Sequence, residues 1–273
     1  MRLLALSALL LMSGPLRAEP VPLRFAVADS WSMPMAQVVN HQATGGIMVD
    51  IMRSLASHAG QPAQFRVLSI NRVQRALEQG QIDVRCYTAQ SWMPTLSGDV
   101  TWSLPLLVQR DLLISTPDNA SPVDPAQLHN EVVGTVLGYA YPTLQPAFDT
   151  RRLLREDARS EDQVLQKLLI GRYHYAVANQ WSLDWFNRNL PQEQKLRSVA
   201  VIDEQPVGCI VRNDSNVPAQ LLMRVLLRMR MSGEIERITA RYNTVTGLPP
   251  DTPRHCGSGL ARESGVSCTA GGD

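Results

Sequence analysis

The chain has 273 residues, 44% hydrophobic and 19% charged, with a formal net charge of +1. That length holds one large domain or two of roughly 100 residues each. The near-neutral balance excludes the strongly basic face of a nucleic-acid binder.

The first stretch, "MRLLALSALLLMSGPLRA", opens with Arg2, runs apolar from Leu3 to Met12 and ends in Ala18. About ten apolar residues are too few to span a bilayer but suit the core of a signal peptide, so residues 1–18 are expected to be cleaved. A buried N-terminal helix is the alternative. Taking Arg2 and Arg17 from the 26 basic residues leaves 24 against 25 acidic ones. No Cys sits near the cut for lipid attachment, and no later run is long enough to cross a membrane, so an exported soluble chain in the periplasm is expected. Export permits disulfides. Cys86, Cys209, Cys256 and Cys268 allow three pairings, and spacing does not choose among them.

"LRFAVADS" (23–30) alternates and is rich in β-formers, which predicts a strand. "GGIMVDIMRSLASHAG" places Ile47, Ile51, Leu55 and His58 at helical spacing and closes at Gly60. "AQFRVLSI" (63–70) is a second strand. "NRVQRALEQG" is a short helix with Asn71 as its expected N-cap and Gly80 as its stop. "IDVRCYT" is a third strand. This β-α-β-α-β order predicts a mainly parallel sheet covered by helices.

A second series begins near residue 107. "LLVQRDLLIS" is a strand, and "SPVDPAQL" a turn into a short helix. "EVVGTVLGYAYPTL" reads as a strand, a turn at Gly138 and a helix start. "SEDQVLQKLLIGR" is a helix capped by Ser160 and stopped at Gly171. "YHYAVANQWSLDWF" is a strand breaking into a helix, and "PVGCIVRN" (206–213) another strand. "VPAQLLMRVLLRMRMSGEIERITARY" carries two apolar helical stripes separated at Ser232-Gly233. From Gly247 the chain is rich in Gly, Pro and Ser, and residues 248–273 are expected to be a disordered tail. His255, Cys256 and Cys268 sit in that tail, and neither a metal nor a cofactor is expected.

The order of these pieces resembles the periplasmic solute-binding proteins of the amino-acid type, family three of the bacterial extracellular binding proteins. The stretches that carry the resemblance are "GIMVDIMRSLASHAG", "RALEQGQIDV", "VTWSLPLLVQRDLLIS", "VGTVLGYAYPTL", "LQKLLIGRYHYAVAN" and "MRMSGEIERITARY". The resemblance implies an α/β, two-lobed, type II-like binding fold. Each lobe would be a mainly parallel sheet flanked by helices, joined through a two-strand hinge. Lobe one would hold residues 19–106 and 207–247, and lobe two residues 107–206. Members bind a small solute in the cleft as the lobes close. An inner-membrane ABC permease is the implied partner, the chain is expected to be monomeric, and no nucleic acid is involved.

Ligands of such sheets sit at the carboxyl ends of strands. After the first strand comes Trp31, a flat stacking face. After the second comes Arg72, whose planar fork suits a carboxylate. After the third comes "YTAQSWMPT", with Tyr87, Thr88, Ser91 and Trp92 as candidate lining. The family carries an arginine there for the ligand's α-carboxylate, and this stretch has none. In lobe two Asn179 stands where the family often has an aspartate for the α-ammonium. A buried zwitterion needs both ends paired. Unless Arg72 or Arg110 substitutes, a seam of rings and amides is therefore expected. Trp31, Tyr87, Trp92, Tyr139, Tyr141 and Trp181 supply the rings, unless some of them serve the core. Such a lining suits a flat, weakly charged or cationic solute. Gly138, read as a helix start, would turn backbone N–H groups into the cleft. In this fold Cys86 and Cys209 fall on neighbouring strands, as a disulfide or as two buried thiols.

No nucleophile elbow, phosphate loop, HExxH or paired-carboxylate motif is present, so no catalytic residue is assigned. A periplasmic binder that captures a small polar solute between two lobes for an ABC importer is expected; a ligand-presenting sensor for a membrane receptor is the alternative. A dehydratase of the cyclohexadienyl type ranks third, because Asn179 cannot donate a carboxyl proton.

Overall fold

The computed structural model describes residues 20–214 and 216–243. The expected signal peptide, the tail from residue 248, His255, Cys256 and Cys268 lie outside the described residues.

The first strand, β1 (Leu23–Ala28), is buried at five of six positions, because it lies between two parallel neighbours. These are β4 (Ala63–Leu68) and β5 (Val84–Thr88). Two short strands, β2 (Gln37–Val39) and β3 (Gln42–Gly45), form a separate antiparallel hairpin. Helix α1 (Ile47–His58) turns Ile47, Met48, Ile51, Met52 and Leu55 into the core. Each such side chain contributes about 1.5–3 kcal/mol by leaving water. Helix α2 (Ile70–Glu78) follows β4, and β6 (Val100–Trp102) pairs with the last long strand.

The second half begins with β7 (Leu107–Ser115) and β8 (Glu131–Val136). It continues through α3 (Gln145–Asp149), β9 (Leu153–Ala158), α4 (Glu161–Leu169), β10 (Tyr175–Asn179) and α5 (Gln180–Asn187). β8 pairs in parallel with β9 and β10, and β10 is antiparallel to β7. The two halves are the two lobes of the fold.

One strand belongs to both. β11 (Arg197–Arg212) runs 16 residues, pairing with β7 from Arg197 to Val207 and with β5 and β6 beyond. The register shifts at Gly208/Cys209, where β11 changes partner. Segment 103–106 is the other connection between the lobes. Helices α6 (Ala219–Met231) and α7 (Glu234–Asn243) then return to lobe one. Cys86 and Cys209 are register partners and form a disulfide, S–S 1.98 Å, which ties β5 to the shared strand.

Several local expectations are corrected. Residues 121–128 form turns and no helix, because their two prolines fix φ without supplying donors. Ser69, one residue before α2, is its N-cap in place of Asn71. Gly138 sits in a turn at φ +80, and α3 starts only at Gln145, so no helix N-terminus opens there. By contrast, the Ser160 hydroxyl does accept from Gln163 N at the start of α4, at 3.4 Å.

Candidate functional site

Between the lobes lies a cavity of about 100 Å³. Lobe one lines it with Trp31, Ile70, Arg85, Tyr87 and Trp92, and lobe two with Gln109, Asp111 and residues 138–141. Strand alternation explains the two main walls. On β5, Arg85 and Tyr87 are two apart and face the cavity together, while on β7 Gln109 and Asp111 do the same. Arg110, between them, points the other way, is exposed, and pairs with Glu204.

Arg85 is the decisive side chain. Its guanidinium carries five N–H donors, yet among the described residues it makes no hydrogen bond or ion pair. It lies deep enough that desolvation lowers its pKa to about 10. On the opposite wall Asp111 Oδ1 accepts from Gln109 Nε2 at 2.7 Å. Burial raises the Asp111 carboxyl to about 6, with Asp203 adding repulsion and Gln109 opposing the rise. No ion pair joins Arg85 to Asp111 among the described residues. A cation on one lobe and an acid on the other thus face a gap.

Tyr87 adds a second unmet group. It holds φ +58, a left-handed conformation costly for a side chain of its size. Its buried hydroxyl has no partner among the described residues. Its ring meets Trp31 edge-on at 5.8 Å, and across the cavity Tyr139 and Tyr141 lie 6.4 Å apart at 41°.

Behind Asp111, its cross-strand neighbour Asn179 caps α5 and holds Glu161. Asn179 Nδ2 donates to Glu161 Oε2 at 2.6 Å, and the Ser182 hydroxyl donates to the same oxygen. Burial raises the Glu161 carboxyl to about 7, although those bonds oppose the shift.

The lobes touch where Trp181 packs on the lobe-one core and Trp185 meets Tyr242 at 6.3 Å, and again at the rim of the cavity. Ser30 Oγ donates to Tyr139 Oη at 3.2 Å, and Asp162 N donates to Ser32 Oγ at 3.1 Å. Gly138 lies so close to lobe one that a Cβ there would meet Asn71 Oδ1 at 2.7 Å and Ile70 Cγ2 at 2.8 Å.

Of the residues singled out from sequence, Trp31, Tyr87, Trp92, Gly138, Tyr139 and Tyr141 converge on the cavity. Six others do not. Arg72 is exposed on the first turn of α2. Thr88 is buried on the other side of β5 and donates to Met93 Sδ at 3.3 Å. Ser91 Oγ donates to Gln205 Oε1 at 2.9 Å. Arg110 is paired outside, Asn179 is committed within lobe two, and Trp181 packs on the lobe-one core beside a different crevice. Ile70, Arg85, Gln109, Asp111 and Ala140 were missed. The period-two pattern was the available signal: counting back two from Tyr87 gives Arg85.

Among the described residues no group of three or more His, Cys, Asp or Glu is arranged to hold a metal, and no helix is long and apolar enough to cross a membrane.

The family model for "Bacterial extracellular solute-binding proteins, family 3" matches residues 23–245. The chain belongs to that family. No curated protein matches the sequence. Among solved structures, a histidine kinase sensor domain with similarity to periplasmic binding proteins matches with TM-score 0.66 and 18% identity, over 83% of this chain and 97% of that one. The ancestral amino-acid-binding protein AncCDT-1, a precursor of cyclohexadienyl dehydratase, matches at 0.64 and 16%, over 81% and 95%. An arginine third transport system periplasmic binding protein from Legionella pneumophila matches at 0.63 and 14%, over 81% and 99%. At these identities the likeness is one of fold. The family-3 solute-binding protein has its cavity where the fold's two lobes meet.

Proposed function

We propose that this family-3 protein is a periplasmic binding protein that closes on a small zwitterion, with the solute's carboxylate on Arg85 and its cation beside Asp111. The observation that carries this is the unpartnered Arg85 guanidinium facing a buried acid across the cavity. Arg85 and Asp111 are part-buried and face the cavity, and taking their charges out of water as the lobes close costs several kcal/mol. A carboxylate arriving in bidentate geometry would offset much of that cost. On this reading the anchors would be Arg85 on β5 and Asp111 on β7, in place of the loop positions to which the family resemblance points.

On this reading the mature chain starts after Ala18. Residues 19–106 with 207–247 move against 107–206, and the closed monomer docks on an ABC permease. The fold likeness to a kinase sensor domain keeps ligand presentation to a membrane receptor as the second reading. Dehydratase chemistry would need an acid at the solute, and Asp111 is one. A product assay with a cyclohexadienyl acid tests that third reading.

The test is a thermal-shift screen of amino acids, amines, small carboxylates and N-substituted zwitterions. A solute at 100 times its Kd adds about 2.7 kcal/mol of stability. Zwitterions should shift Tm, while the matching amine or carboxylate alone should not. An equal shift from a plain carboxylate would remove Asp111 from the proposal.

A further inference from the structure

Resting on the zwitterion reading, we infer that the solute's cationic nitrogen carries carbon substituents, an alkylated ammonium rather than a primary one. Few acceptors in the cavity are free for a primary ammonium. A primary ammonium brings three N–H donors, and each wants an oxygen once water is excluded. Asp111 already spends one oxygen on Gln109. The hydroxyls of Tyr139 and Tyr141 already accept, from Ser30 Oγ and from Val136 N at 3.0 Å. Asn179, at the end of β10, is turned to Glu161 and to the cap of α5. What remains is the second oxygen of Asp111, the Tyr87 hydroxyl and the Gln109 amide oxygen, on two different lobes.

The wall itself points the same way. Trp31, Tyr87 and Trp92 from lobe one face Tyr139 and Tyr141 from lobe two around one cavity. Arg155 already lies 5.2 Å over the Tyr141 ring, which shows a cation seated on one of these rings and leaves four others. Rings set at 89° on one lobe and 41° on the other make a box with faces in several directions. Such a box attracts a cation through the ring quadrupoles without asking it for hydrogen bonds. Asp111 then supplies counter-charge, and Arg85 takes the carboxylate.

The test is titration calorimetry on the full mature chain with glycine, N-methylglycine, N,N-dimethylglycine and trimethylglycine. A fifth probe, 3,3-dimethylbutanoate, copies the shape of trimethylglycine without its positive charge. Affinity should rise along the methylation series by tenfold or more. The isostere that lacks the cation should bind at least tenfold more weakly than trimethylglycine. Trp31→Leu should lower trimethylglycine affinity and flatten the series. Glycine binding as tightly as trimethylglycine overturns the inference while leaving the zwitterion reading intact. Equal binding of the isostere also overturns it, because the rings would then act only as apolar surface. No binding by any of the five overturns both.

Discussion

Two arginine–aspartate arrangements, one around Asp83 just before β5 and one at Arg85 within it, behave oppositely. At the base of lobe one, Arg24 Nε donates to Asp83 Oδ2 at 2.9 Å, and Arg212 reaches Asp83 at 3.2 Å and Asp214 at 2.6 Å. Burial raises the Asp83 carboxyl, but the bonds from Arg24 and Arg212 outweigh it and hold it below its usual range. At the seam, Arg85 and Asp111 face each other unpaired, and burial shifts both toward neutrality. The first set is paired by folding, with Arg212 Nε alone left without a partner among the described residues. The second is complete only when something else arrives. A satisfied ion cluster supports the fold, whereas an unsatisfied one identifies where a ligand belongs.

The contrast is broken most severely at its satisfied end. Asp83→Ala strands Arg24 and leaves Arg212 with Asp214 alone, and removing one partner of a buried pair costs about 3–5 kcal/mol. Urea unfolding should show that loss, with little change in ligand affinity when folded protein is assayed. Arg85→Met should do the reverse. It removes an unpaired, part-buried charge, so the unliganded protein should be no less stable, while calorimetry shows binding weakened roughly 100-fold or more. A destabilised Arg85→Met protein would mean that the guanidinium has a partner in the fold.

Acid should act on the seam through Asp111. Its folded pKa of about 6 lies above the ordinary aspartate value of 3.8, so folding favours its protonated form. The stability this lends is fully present below about pH 4 and is lost as pH rises through 6. Glu161 extends the same loss toward 7. A bound cation needs the ionised form, so affinity should fall about tenfold per pH unit below 6. Asp111→Asn should weaken binding and remove that dependence in a pH series of titrations.

Smaller effects belong to the rim. Gly138→Ala should weaken binding about tenfold, since its methyl meets Ile70 and Asn71 and its φ is unfavourable for alanine. Pairing it with Asn71→Ala separates clash from backbone strain: recovered affinity points to the clash. Ser30→Ala removes one hydrogen bond between the lobes, worth about 1 kcal/mol or a fivefold change in Kd.

Much of the fold was legible because local signals and tertiary packing agree. The stripes of α1 and α6, the Ser160 cap and the Gly233 break all follow from short-range patterning. β9 escaped notice because "LLREDA" is a charged edge strand with only its end residues buried. β2 and β3 escaped because their residues are mostly exposed. The site was half legible. Aromatic residues after strands attract notice by type, and six of them or their neighbours do reach the cavity. Arg85 was passed over because an arginine was sought in the loop after β5, not on the strand. Arg110 was chosen for its charge, although alternation puts its neighbours Gln109 and Asp111 inward.

A crystal structure of the protein with the zwitterion that gives the largest thermal shift tests the central claim most directly. The account predicts the solute's carboxylate within about 3 Å of the Arg85 guanidinium, with its cation on the Asp111 side. Arg85 bonded to Asp111 itself, with the solute held elsewhere, would contradict it.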